Sequence, residues 1–127
     1  MITLNKEQIK RLHSKLLEKT GGMDGLRDEA LLDSALSVSF QTFGGVELYP
    51  STVAKIARIA YGLVCNHPFM DGNKRIGTFV MLVLLELNHI DVDLTDDDLV
   101  HIGMELAKGK MNDKQLLNLV LERTSEQ

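Results

Sequence analysis

A short polar stretch, residues 67–77, carries the side chains best suited to chemistry and reads HPFMDGNKRIG. It brings an imidazole, a carboxylate and two cations close together, at His67, Asp71, Lys74 and Arg75. Imidazole exchanges protons near neutral pH, so His67 is the candidate general base. Arg75 can hold phosphate oxygens in a bidentate fork, while Lys74 can act as a mobile positive charge. These residue types predict a site that handles phosphate groups.

The carboxylate of Asp71 completes this set. Beside a bound polyphosphate, an aspartate is suited to hold Mg²⁺ through oxygen ligands, so Asp71 is the candidate metal ligand. Phosphoryl or nucleotidyl transfer requires mainly positioning and charge neutralisation, together with a base for the attacking hydroxyl. The stretch therefore predicts a transferase that uses Mg²⁺ and a nucleotide.

The stretch lies between two apolar segments that should position it. Apolar residues recur with helical spacing over residues 51–66, and Pro68 disfavours helix for the residue before it, so the first helix should stop at His67. Asp71-Gly72 is a turn signal, and Gly72 lets the backbone approach a ligand closely.

A second helix should begin with Asn73 as its N-cap and run to about Asn88. The unpaired N–H groups at its start and its dipole favour an anion. Lys74 and Arg75 fall in its first turn, where cations are unfavourable unless an anion is bound. Gly72, Asn73 and these two cations are therefore the candidate phosphate-binding residues.

The rest of the chain reads as helices joined by short loops. Four more are expected, over about 5–18, 28–37, 95–108 and 112–123, the third opened by a capping box of Thr95 and Asp98. His13, near the apolar face of the first helix, is interpreted as structural. Residues 39–49 differ and should form a short β-hairpin turning on Gly44-Gly45. We therefore expect an all-α fold, a compact bundle of about six helices, in one domain over residues 1–127.

Composition excludes several classes of protein. A net charge of −4 argues against direct binding of nucleic acid, which usually needs a basic face. The lone cysteine, Cys65, excludes an internal disulfide and suits a reducing cytoplasm. The N-terminus turns polar at Asn5, so no signal peptide is expected, and the apolar run over 79–85 is too short to span a membrane. A cytoplasmic protein without a membrane partner is expected.

Residues 67–75 resemble the signature loop of the Fic/Doc family, H-x-F-x-[D/E]-G-N-x-R, at every fixed position. Residues 20–28 (TGGMDGLRD), followed by LLDSAL over 31–36, resemble the N-terminal part of the Doc (death-on-curing) toxin branch. The resemblance implies the Fic/Doc fold, with a flap lining the site at the hairpin. It also implies ATP as co-substrate, Mg²⁺ at Asp71, and His67 deprotonating a target hydroxyl. Gly72, Asn73 and Arg75 would hold nucleotide phosphates, and Phe69 would anchor the loop in the core.

Two departures from the family pattern bear on the reaction. Members that transfer AMP usually continue G-N-G-R-x-x-R, whereas Lys74 replaces the second glycine here and Thr78 stands at the last arginine. The chain is therefore more similar to Doc toxins, which transfer the γ-phosphate of ATP to a Ser/Thr hydroxyl of a translation factor. Transfer of AMP is the alternative, and a non-catalytic antitoxin-binding relative is a second one.

Restraint of such a toxin is expected to come from another protein. The inhibitory motif [S/T]-x-x-x-E-[G/N], which some family members use on themselves, does not occur in the sequence. The resemblance therefore implies a separate antitoxin partner, alongside a protein target in the translation machinery.

Overall fold

The computed structural model describes residues 1–124, which form six α-helices and one two-stranded antiparallel sheet. The expected all-α fold with a short hairpin is thus confirmed, and residues 125–127 of the expected domain lie outside the described residues. In chain order the elements are α1 (Lys6–Thr20), α2 (Glu29–Ser37), a 3₁₀ turn (Val38–Phe40), β1 (Thr42–Phe43), β2 (Val46–Glu47), α3 (Thr52–Cys65), α4 (Asn73–Leu87), α5 (Asp96–Ala107) and α6 (Asp113–Arg123).

Helices α3 and α4 form the centre of the fold. Both bury apolar side chains almost completely, at Ile56, Ile59, Leu63, Ile76, Val80 and Leu84. Each such side chain contributes about 1.5–3 kcal/mol when it leaves water. The two helices approach closely at Gly77, where a Cβ atom would overlap the side chain of Val64. The remaining helices pack around this pair, α2 and α6 against α3, α1 and α5 against α4. The loop joining α3 to α4 is therefore held at one end of a rigid pair.

Most helix starts agree with the sequence because their caps are local. The side chains of Asn5, Asp28 and Thr95 each accept a backbone N–H of their own first turn, and Thr95 forms the expected capping box with Asp98. The cap expected at Asn73 is wrong. Gly72, with a left-handed φ of +76°, takes the N-cap position of α4, and Asn73 is the first helical residue.

The expected end of α3 also needs correction. The helix ends at Cys65 with Asn66 as its C-cap, so His67 lies wholly in the loop rather than at the last helical position. This frees the backbone of His67 from helical geometry.

The hairpin forms where the sequence placed it. Thr42 pairs with Glu47 and Phe43 with Val46, across a turn at Gly44-Gly45. Ser39 and Phe40, expected in its first strand, instead belong to the 3₁₀ turn, which continues directly from α2. No helix of residues 1–124 is long and apolar enough to cross a membrane.

Candidate active site

His67 has an unusual backbone in the loop between α3 and α4. Its φ is +50°, in the left-handed region that residues other than glycine rarely adopt. Such a conformation costs about 1–3 kcal/mol and persists only where the surroundings enforce it. Pro68 makes this conformation of His67 more unfavourable, because the residue before a proline favours extended backbone. The side chain of His67 is exposed and faces a cleft.

A segment that follows α1 braces this loop from outside. The backbone of Leu26 forms an antiparallel bridge with Phe69. Met70 donates its N–H to Gly25 O at 2.9 Å, and Arg27 donates its N–H to Pro68 O at 2.7 Å. The loop therefore has a strand-like partner, although neither segment forms a regular strand.

Beneath the loop, Phe69 is the buried anchor expected from the sequence, with 2% of its surface exposed. Its ring stacks on that of His13, with centroids 3.8 Å apart and planes 12° apart. His13 is fully buried, as its structural interpretation predicted. Its Nε2 lies 2.7 Å from Asp71 O, and because a carbonyl only accepts, Nε2 carries the proton there. His13 thus fixes the backbone of the candidate metal ligand.

Asn73 holds the loop rather than capping α4. Its Oδ1 accepts the N–H of Phe69 at 3.0 Å, and its Nδ2 donates to Phe69 O at 3.1 Å. The amide therefore takes the place of a backbone partner for both the N–H and the C=O of Phe69. These two bonds use the amide oxygen and one of the two amide N–H groups, so the backbone N–H of Asn73 and its second amide N–H are available to a phosphate.

Asp71 is exposed and held by two backbone donors. The N–H groups of Met23, at 3.3 Å, and Gly72, at 2.9 Å, bond its two carboxylate oxygens and lower its pKa below the ordinary value. Gly22 makes this approach possible, because a Cβ there would lie 2.9 Å from Asp71 Oδ2. An ionised, exposed carboxylate fits Mg²⁺. Residues 1–124 contain no group of three or more His, Cys, Asp or Glu able to hold a metal, so such an ion would also depend on phosphate oxygens and water.

The N-terminus of α4 lacks a side-chain cap among the described residues, unlike the other five helices. Its free N–H groups and positive dipole end point to an anion. Lys74 is exposed beside them. At the C-terminus of α1, Arg75 Nη1 donates to the hydroxyl of Thr20 and, at 3.4 Å, to Gly21 O. Its other nitrogens make no hydrogen bond within residues 1–124 and can meet a ligand.

One cleft of about 530 Å³ collects all six residues singled out from the sequence. Its lining consists of His67, Met70, Asp71, Gly72, Asn73, Lys74, Arg75 and Ala107. The cleft thus combines a base, a carboxylate, two cations and a free helix N-terminus, which suits binding and transfer of a phosphate group.

Sequence reasoning missed the supporting residues Thr20, Met23 and Arg27. Each contacts a partner far away in the chain, so helical periodicity and motif spacing carry no trace of the pairing. The only available signal was the second stretch of family resemblance, residues 20–28, which contains all three.

Comparison with known proteins agrees with this geometry. Residues 3–85, which include α3, the loop and most of α4, match the model of the Fic/DOC family. The chain is also similar to a protein of Mycolicibacterium smegmatis named Toxin Doc, at 34% identity over 103 residues, which covers 68% of this chain and 79% of that protein.

Proposed function

Because the chain belongs to the Fic/Doc family, we propose that it is a Doc-type toxin that transfers the γ-phosphate of ATP to a serine or threonine hydroxyl of a translation factor. The similarity to a named toxin supports the biological role. The observation that carries the chemistry is the position of His67 in the same cleft as the uncapped N-terminus of α4.

The cleft offers a separate group for each part of the nucleotide phosphates. Backbone N–H groups at the start of α4 would bind phosphate oxygens, with Lys74 and the free edge of Arg75 adding positive charge. Magnesium, when bound at Asp71, would supply further neutralisation of that charge. The hydrogen bonds from Met23 and Gly72 keep Asp71 ionised for this purpose.

In the chemical step, His67 takes the proton of the target hydroxyl through its imidazole. The hydroxyl oxygen forms a bond to the γ-phosphorus, and the bond from that phosphorus to the bridging oxygen of the β-phosphate breaks. The electron pair of the broken bond remains on ADP, which leaves. The charge that spreads over the transferred group is stabilised by Lys74, Arg75 and the helix N-terminus.

Two side chains favour γ-phosphate transfer over AMP transfer. Lys74, exposed in the first turn of α4, lines the cleft, where a glycine would leave more space for a diphosphate. Thr78 is 8% exposed, and its hydroxyl donates to the carbonyls of Lys74 and Arg75, so no phosphate clamp stands at that position. Fic-type AMP transfer is the runner-up, and the same cleft would serve it.

The experiment tests which phosphate of ATP is transferred to protein. The protein is incubated with a bacterial translation extract, Mg²⁺, and ATP labelled on either the γ- or the α-phosphate. We expect a protein band labelled from the γ-phosphate alone, and His67→Ala should lower the rate at least ~100-fold. Label from the α-phosphate would replace this proposal with AMP transfer, and the absence of both labels would favour a non-catalytic, antitoxin-binding protein.

Control of the toxin is proposed to come from a separate antitoxin protein. The chain expressed alone should therefore stop bacterial growth, and His67→Ala should relieve the arrest. Normal growth with abundant folded wild-type protein would contradict the toxin proposal.

A further inference from the structure

We propose that Arg27 is a positioning residue for His67, because its guanidinium fixes the left-handed backbone that directs the imidazole into the cleft. The proposal rests on the proposed function only in taking His67 as the base. Arg27 lies outside the residues that line the cleft in the described part of the chain, so it would act through the loop and not on the substrate.

The contacts join one guanidinium to two successive carbonyls. Arg27 Nε donates to His67 O at 2.6 Å, and Nη2 donates to Asn66 O at 2.9 Å. Both carbonyls follow the last helical residue of α3, Cys65. Carbonyls at a helix C-terminus lack helical partners and favour a nearby cation. The planar fork of arginine suits two adjacent acceptors, whereas the point charge of lysine does not.

Arg27 is itself held firmly. Its N–H donates to Pro68 O at 2.7 Å, and that carbonyl also accepts the N–H of Asp28 at 3.0 Å. Asp28 in turn caps α2, since its Oδ1 accepts the N–H of Leu31 at 3.1 Å. The fork therefore projects from the fixed start of a helix, and it grips the residue whose φ is +50°.

Removal of the fork has a definite structural consequence. A non-glycine residue stays at positive φ only where its surroundings enforce it, and the residue before a proline favours extended backbone. Without Arg27, His67 is expected to move toward extended φ, which turns its imidazole away from the reacting hydroxyl. The phosphate cradle, built by α4 and α1, would remain.

The test compares Arg27→Ala, Arg27→Gln and Arg27→Lys with Arg11→Ala, which removes an exposed arginine of α1. Label transfer is measured as a function of ATP concentration and corrected for the folded fraction. Arg27→Ala and Arg27→Gln should lower the maximal rate by roughly 100-fold, the scale of a misplaced reacting group. The ATP concentration for half-maximal rate should change less than about threefold. Arg27→Lys should recover part of the rate, and Arg11→Ala should match the wild type.

A second measurement does not depend on the reaction. The Cα and Cβ chemical shifts of His67, recorded without nucleotide, report its backbone conformation. They should indicate positive φ in the wild type and Arg11→Ala, and extended backbone in Arg27→Ala and Arg27→Gln.

The outcomes separate this proposal from the proposed function. A maximal rate that equals the wild type in Arg27→Ala, or a rate and an ATP affinity that fall together, would overturn the positioning role. Unchanged His67 shifts would do the same. If the wild type transfers neither label, the proposed function fails, and the chemical shifts alone then decide the role of Arg27. If Arg27→Ala does not fold, Arg27→Gln and Arg27→Lys provide the comparison.

Discussion

The side-chain amide of Asn73 makes two hydrogen bonds to the backbone of Phe69, at 3.0 and 3.1 Å, and so joins the first residue of α4 to the loop between α3 and α4. Because both bonds come from one side chain, a single substitution removes both of them. Without the Asn73 amide, the backbone N–H and C=O of Phe69 lose their partners, and water cannot replace them because the residue is buried.

Asn73→Ala should therefore lower the free energy of unfolding by about 1–3 kcal/mol, the net value of two hydrogen bonds, and should strongly lower label transfer. Urea unfolding and the transfer assay measure the two effects. Asn5→Ala is the matched control, because it removes a helix cap for about 1 kcal/mol far from the cleft and should leave transfer per folded molecule unchanged. Equal effects of the two substitutions on transfer would contradict the anchoring role of Asn73.

Gly72 combines a left-handed backbone with a close approach to Leu17, and both favour glycine. A paired experiment can separate the two effects. Gly72 and Gly109 have nearly the same φ, +76° and +75°, but a Cβ at Gly72 would lie 2.9 Å from Leu17 Cδ2, whereas a Cβ at Gly109 meets no atom within 4 Å. Both alanine variants should lose about 1–2 kcal/mol to left-handed strain. Gly72→Ala should lose about 1–3 kcal/mol more through overpacking, measured by urea unfolding. Equal losses would show that Leu17 moves aside freely.

Lys55 fastens the hairpin to α3 from a nearly buried position. Its ammonium donates to Glu47 Oε1 at 3.0 Å and to Tyr49 O, and only 7% of the residue is exposed. Lys55→Met should free the hairpin, so chymotrypsin should cleave faster after Phe43, which is 81% exposed. Lys108→Met, an exposed lysine beyond α5, is the control and should leave cleavage unchanged. A cleavage rate unaltered by Lys55→Met would mean that other contacts hold the hairpin.

Asp71 predicts a specific dependence of stability on pH. Backbone N–H groups of Met23 and Gly72 lower its pKa in the folded protein, so the folded state binds this proton less readily than the unfolded chain. The stabilisation is complete above the unfolded pKa of about 3.9 and is lost as pH falls through the lower folded pKa. The difference in urea midpoint between wild type and Asp71→Asn should be constant from pH 7 to about pH 5 and shrink below about pH 4. A constant difference down to pH 3 would be inconsistent with this assignment.

The sequence predicted the features that depend on contacts between residues close together in the chain. The helices, most of their caps and the turn at Gly44-Gly45 follow from local side chains, and the signature loop identified the residues that gather in one cleft. Two local predictions were wrong. Asn73 does not cap α4, because its amide is taken by Phe69, and α3 ends at Cys65, before the residue expected from Pro68. At Asn73 hydrogen bonds to the preceding loop replace the capping bond, and after Cys65 the carbonyls of Asn66 and His67 bond to Arg27.

The contacts that support the loop could not be derived from periodicity or motif spacing. His13 was interpreted as structural without a named partner, and in the structure its ring packs on Phe69 and its Nε2 donates to Asp71 O. Thr20 and Arg27 carry no periodic or charge signal that would pair them with Arg75 or His67. Only folding brings these residues together, so the sequence predicted the candidate reactive groups but not the residues that position them.

The contacts that hold the loop in place join distant parts of the chain. Arg27, Thr20 and His13 reach partners 40, 55 and 58 positions later, all from the first 27 residues. Detachment of that N-terminal region would leave the central pair α3 and α4 helical, while His67 and Asp71 lose their alignment. On gradual heating, label transfer is therefore expected to be lost at a lower temperature than most of the helical ellipticity.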